Sequence, residues 1–181
     1  MIKKLTWFIA VLAFICLCAL NYAEYFILHA LSDGLKSPDF RPFGYSYDEF
    51  AVWQTRLGDQ GTALYLKWFS NGFDKFFPAL LGLLIALVMH GVLNRFPKYQ
   101  ARSSLLKLLV PAIFALPYVF FDYFENLVVA DAISAKGNAG SSMIAFASSL
   151  TVLKFSFLAI ALVAIFVFWM ASLKQNKAQS T

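Results

Sequence analysis

Four apolar runs, each long enough to cross a bilayer, constrain this chain more than any other feature. A membrane helix needs about 20 apolar residues to cross a hydrocarbon core of roughly 30 Å, and a helix satisfies its own backbone polar groups where no water can. The first run extends from Leu5 to Ala23, after Lys3 and Lys4 and before Glu24. The second covers Phe76 to Leu93, between Asp74-Lys75 and Asn94-Arg95. The third begins after Lys107 and stays apolar until Asp122, Glu125 and Asn126; the fourth, Phe155 to Leu173, lies between Lys154 and Lys174. With their helical margins, these give spans over about 5–27, 74–94, 107–130 and 148–173. The expected fold is all-α: one membrane-embedded four-helix bundle over residues 1–173, followed by a polar, frayed tail at 174–181.

Composition agrees. The chain is 60% apolar and 14% charged, whereas soluble domains are nearer half apolar. The net charge of +5 does not come from a basic face with interleaved aromatics, so nucleic acid is not an expected partner. Cys16 and Cys18 point to nearly opposite sides of one helix, cannot bridge each other and read as small apolar filler. The basic pair before the first run resembles a secretory signal, but no A-x-A site follows it, so that segment reads as an uncleaved helix.

Flanking charge sets the expected orientation. Lys3 and Lys4, then Arg95, Lys98, Arg102 and Lys107, then Lys174 and Lys177 all fall on one side of the four spans. The other side carries Asp33, Asp39, Asp48, Glu49, Asp59 and Asp74, balanced by its own bases. The positive-inside rule then places both termini in the cytoplasm and makes the chain a multi-pass protein of the cell inner membrane.

The segment between spans one and two is patterned rather than loose. Ser46-Tyr47-Asp48-Glu49 is a capping box, so a helix is expected to start there. Phe50, Trp53 and Leu57 recur at helical spacing up to Gly58, which describes a short amphipathic extracytoplasmic helix lying on the bundle or on the outer lipid surface. After a turn over 58–61 the pattern is helical again from Thr62 to Phe69, making residues 46–70 a helical segment, with Gly72 as the bend before span two. Pro78 suits a first helical turn.

Counting depth at about 1.5 Å per residue puts Glu24, Asp74, Glu125 and Lys154 all about 27–30 Å from the basic end, at one boundary level. Asp122 lies deeper, about 22 Å from Lys107, and calls for a partner; Lys154 is the cation at matching depth. Tyr118, Asp122, Glu125 and Asn126 follow i, i+3 and i, i+4 spacing and form a polar stripe expected to face the bundle interior. Asn21 with Glu24 and Asn71 with Asp74 repeat an i, i+3 arrangement at the same end. Two readings follow for this set: a binding or catalytic pocket in which Asp122 and Glu125 are paired carboxylates, and a structural clasp in which Lys154 neutralises one of them and fixes helix register.

Other candidates carry less. His29 and His90 belong to opposite ends and no Cys/His cluster has zinc spacing, so no metal or cofactor is expected. His90 reads as a packed polar residue on a seam with Gly82 and Ala86. Phe120, Phe121, Tyr123, Phe124, Trp68 and Phe69 concentrate at the membrane boundary as interfacial aromatics do. Nucleophile-elbow, Walker and dinucleotide motifs do not occur.

Gly44-Tyr45-Ser46, the D-x-x-F-P run from Asp74 to Pro78 and the D-x-x-E-N run from Asp122 to Asn126 together resemble small uncharacterised bacterial membrane proteins with four spans. The resemblance covers roughly residues 40–130 and implies the same topology and the same polar residues, without a reaction.

The sequence therefore leads to an integral inner-membrane protein that serves as a binding or accessory subunit, its outward-opening pocket or amphipathic helix contacting membrane lipid, a small lipophilic ligand or solute, or a membrane-protein partner, with oligomerisation open. The alternative is a membrane enzyme of isomerase or hydrolase type, with Asp122 and Glu125 as acid and base on a lipid-phase substrate. A proton-coupled carrier is a third reading, disfavoured by the lack of an inverted repeat.

Overall fold

The computed structural model describes residues 2–178, with side chains through Gln175. It is helical, without strands among the described residues: α1 (Ile2–Leu31), α2 (Tyr47–Trp68), α3 (Phe77–Leu93), α4 (Pro97–Gln100), α5 (Ser104–Ser134) and α6 (Ser141–Ala178). Four helical stretches are long and apolar enough to span a membrane, as the sequence implies, and they make the chain a multi-pass membrane bundle. In it α5 packs on α6 and on α3, while α1 rests mainly on α3.

The two ends of the bundle are fixed by specific contacts. Arg95, just past α3, donates to Ser172 near the end of α6 at 3.3 Å, so the end of α3 and the end of α6 meet. At the other end Tyr123 of α5 donates to the Lys75 carbonyl at 2.9 Å, which ties the approach to α3 to the distal part of α5. The first is the basic end and the second the acidic end. Between them Gly82 of α3 sits where an added Cβ would lie 2.2 Å from Val119, which accounts for the close α3–α5 seam.

Helix lengths exceed the expected spans. α5 has 31 residues, or about 46 Å at the helical rise, and so projects beyond a core of roughly 30 Å. It ends where Lys136 (φ 49°) and Gly137 (φ 83°) turn into the left-handed region. α6 runs past Lys174 to Ala178, so the described part of the tail is helical rather than frayed. Neither Gly nor Pro interrupts 141–178, and Lys-Gln-Asn-Lys offers no strong breaker; residues 179–181 of the expected tail lie outside the described residues.

The projecting ends of α5 and α6 support α2 as a cap over the acidic end. The capping box forms: Ser46 accepts from the Glu49 amide and Glu49 accepts from the Ser46 amide at 2.7 Å. Gly58 breaks the helix with φ 62°, but the backbone re-enters the helix at once, so the expected turn over 58–61 is a one-residue kink. Gly61 stays helical. Phe50, Trp53, Leu57, Tyr65 and Phe69 are all buried in one cluster with Leu20, Leu28, Val129, Ile133 and Ile144. The amphipathic helix thus spends its apolar face on the chain's own core, not on lipid. At Gly72 the chain bends, where a Cβ would stand 2.3 Å from the Trp68 carbonyl.

Candidate functional site

Beneath this cap the chain buries Glu24, Asp39, Asp74, Asp122, Glu125 and Lys154. Each is positioned by a local device. Glu24 lies in a π-helical turn, Ala23–Leu28, inserted into α1; such a turn rotates the residues beyond it relative to a regular helix. Its Oε1 accepts from the Ser37 amide at 2.9 Å, and so holds the connecting loop down on α1. That loop is closed by Arg41, whose guanidinium donates to the Lys36 carbonyl at 2.9 and 2.8 Å. It is pinned to α6 where the Tyr45 amide donates to Ser148 Oγ at 2.8 Å. Gly44 permits that approach: its φ is 83° and a Cβ would stand 2.7 Å from the same Oγ.

The pinned loop delivers Asp39, on the 3₁₀ turn Pro38–Phe40, into the cluster. Asp39 receives the hydroxyl of Tyr65 from α2 in a short hydrogen bond. Lys154 of α6 is the hub. Its ammonium is 3.5 Å from Asp39 Oδ1 and 3.1 Å from Asp122 Oδ1, and it pairs closely with Glu125 Oε2. Glu125 also receives the Thr151 hydroxyl, one helical turn before Lys154 on the same face. The Phe155 ring lies 5.5 Å from the ammonium, close enough for a cation–π contribution.

Asp74 stands apart from this hub. It is 5% exposed and, among the described residues, makes no ion pair and has no hydrogen-bond partner for its Oδ2; the Asn126 side chain is within hydrogen-bonding range of its carboxyl group. Taken together, Asp39, Asp122 and Glu125 surround Lys154, the one buried cation among the described residues, and a fourth carboxyl, Asp74, is buried beside them. A carboxyl group leaves water only with a close partner or by taking up a proton, so more buried carboxyls than cations is unusual in a purely structural core.

A cavity of about 660 Å³ adjoins this cluster, lined by α1, α3, α5 and α6 and by the loop between α1 and α2. One part of its wall is apolar, from Ala13, Phe14 and Leu17 of α1 and Leu81 and Leu84 of α3. The other is polar, from Asp39, Asp74, Asp122, Tyr118 and Lys154, with exposed Lys36 at the rim. Glu125 is not part of the wall; it is wholly buried behind Lys154 and Thr151.

The sequence-derived set is therefore mostly brought together. Glu24, Asp74, Tyr118, Asp122, Glu125, Asn126 and Lys154 converge, and Asn21 lines the cavity, although its amide is spent on the Leu17 carbonyl at 2.7 Å. Asn71 does not join: it is exposed, because the bend at Gly72 separates it from Asp74 and the i, i+3 relation lapses. Asp122 and Glu125 do share a cation, but only Asp122 reaches the cavity. Asp39, Thr151 and Tyr65 are the site residues that helical spacing missed.

Among the described residues no three His, Cys, Asp or Glu side chains are grouped to hold a metal ion; Lys154 fills the centre of the carboxylates. His90, at the other end, has Nδ1 3.1 Å from the Tyr99 hydroxyl, which itself donates to the Lys107 carbonyl at 3.0 Å. That carbonyl is free because Pro111, four residues on in α5, has no N–H to offer it. Cys16 is buried, Cys18 exposed, and both are free thiols.

Fold and site together define a multi-pass membrane bundle with a capped, carboxylate-rich cluster opening into an apolar cavity. The chain matches no protein-family model, no curated protein and no solved structure.

Proposed function

We propose that this chain is a binding or accessory protein of a bacterial inner membrane, with both termini in the cytoplasm, that holds a lipophilic molecule in the cavity between α1, α3 and α6. The eight flanking Lys and Arg residues at the basic end support that orientation. The observation that carries the binding reading is the cavity itself. At about 660 Å³ it falls in the range of small-molecule sites, and its wall is largely apolar with a few convergent polar groups at one end. A polar cluster serving only as a clasp has no need of an adjoining void of this size.

The cavity supports an internal ligand better than a partner docked on α2, since Phe50, Trp53 and Leu57 are buried within the chain. An acid–base pair made of Asp122 and Glu125 gains no such support, because Glu125 is screened from the cavity by Lys154 and Thr151.

The experiment is native mass spectrometry of the protein gently extracted from its own membrane, on the wild type and on Asp122→Asn. A stoichiometric lipid or small molecule on the wild type that is lost or weakened in a folded Asp122→Asn protein is the expected result. An empty wild-type protein, together with a destabilised mutant, would leave a structural clasp as the account of the cluster.

A further inference from the structure

Given the cavity proposed above as a binding site, we infer that its occupant is a cationic amphiphile: an alkyl chain along α1 and α3, and an amine or ammonium group seated at Asp74. The inference rests on that binding reading and adds the chemistry of the ligand's head.

Charge balance points to the head group. Lys154 is already shared among Asp39, Asp122 and Glu125, so it has no attraction left over for a further acid and none that an anionic ligand could claim without displacing a carboxylate. Asp74 borders the same cavity at 5% exposure and, among the described residues, has no ion pair and no hydrogen-bond partner for its Oδ2. A buried carboxylate of this kind is satisfied by a donor that carries positive charge, and an ammonium supplies both charge and N–H groups. Lys36 at the rim does not fill that role, because it is exposed and hydrated there. The neighbouring Asp39 and Asp122 share one Lys154 with Glu125, so the carboxyl groups around the cavity end outnumber its cation and favour a cationic head over a neutral alcohol of equal length.

The geometry of the walls points to the tail. Phe14 and Leu17 of α1 line the cavity and are 65% and 42% exposed, so the apolar part of the wall is open on that side. An alkyl chain can therefore lie against them and remain continuous with the bilayer, with only its head carried under the cap. Two sources supply such a head: a free long-chain amine, and a lipid with an amino headgroup.

The test is a binding titration of the full-length protein in a neutral maltoside detergent. Dodecylamine, dodecanol, a phosphatidylethanolamine and a phosphatidylglycerol serve as probes, with binding read by native mass spectrometry and by thermal shift. Dodecylamine should bind at one per chain and about tenfold or more tighter than dodecanol. Asp74→Asn should remove that difference while leaving dodecanol binding in place. Preference for phosphatidylethanolamine over phosphatidylglycerol assigns the head to a lipid; dodecylamine binding alone assigns it to a free amine. Leu17→Trp, which narrows the apolar part of the cavity and leaves every carboxyl group in place, should weaken amine and alcohol alike. Equal binding of amine and alcohol, tighter binding of the phosphatidylglycerol, or an Asp74→Asn protein that still prefers the amine would overturn the inference and leave the cavity standing. Probe binding that ignores Leu17→Trp would remove the cavity reading itself.

Discussion

The two ends of this bundle both bury polar groups, yet they do so in opposite ways. At the basic end His90, Tyr99 and the Lys107 carbonyl form a closed chain in which Tyr99 spends its one proton on Lys107, leaving His90 Nδ1–H to donate to the Tyr99 oxygen. Met89 and Leu93 pack with Tyr99, and no charged side chain is buried there among the described residues. At the acidic end three carboxyls meet one ammonium, a fourth, Asp74, keeps an Oδ2 with no hydrogen-bond partner among the described residues, and a cavity opens alongside. Satisfied networks stabilise a fold, whereas surplus carboxyl groups beside a void are a feature that packing alone gives no reason to keep.

The comparison breaks most sharply at Lys154. Lys154→Met should cost about 3–5 kcal/mol of stability, because it strands Asp39, Asp122 and Glu125 without a cation. The measurement is reversible unfolding in mixed micelles, and a loss below about 1 kcal/mol would mean the carboxyls do not depend on the ammonium.

The same substitution made at each end sharpens the contrast. Tyr65→Phe removes a hydrogen bond to the Asp39 carboxylate and should cost about 1.5–3 kcal/mol. Tyr99→Phe removes neutral hydrogen bonds and should cost about 0.5–1.5 kcal/mol in the same assay. Equal losses would say that charge is no more important at the acidic end than at the basic one.

The smallest expected effect is at the edge of the cap. The Ser46 amide and hydroxyl hold the Glu49 carboxyl below its ordinary range. Because the folded value is the lower one, the contribution of this pair is present above the unfolded glutamate value of about 4.3 and is lost as pH falls through the folded one. Ser46→Ala should cost about 1 kcal/mol at neutral pH. Unfolding followed from pH 6 to pH 3 should show a weaker acid dependence in the mutant; identical slopes would assign the dependence to other groups.

Much of this architecture was legible in the sequence because lipid imposes length and depth. Apolar runs fixed the four spans, the Ser46–Glu49 spacing fixed the start of α2, and counting depth along helices paired Lys154 with Asp122 and Glu125. Asp39 escaped because a residue on a loop has no depth to count; only the Ser37, Arg41 and Gly44 contacts carry it inward. Tyr65 looked like part of an outer helix until the kink at Gly58 and the packing of Trp53 placed it over Asp39. Asn71 was misplaced for the converse reason, since helical spacing was applied across a bend.

The most direct measurement is photolabelling of the full-length protein in lipid nanodiscs with dodecylamine bearing a diazirine in its chain, followed by peptide mapping. A ligand in the cavity predicts labels concentrated on Ala13, Leu17, Leu81 and Leu84, suppressed by excess unlabelled dodecylamine. Labels spread evenly over outward-facing residues such as Trp7, Ile113 and Phe166, and unaffected by competitor, would show that the probe sits only in bulk lipid and would contradict the account.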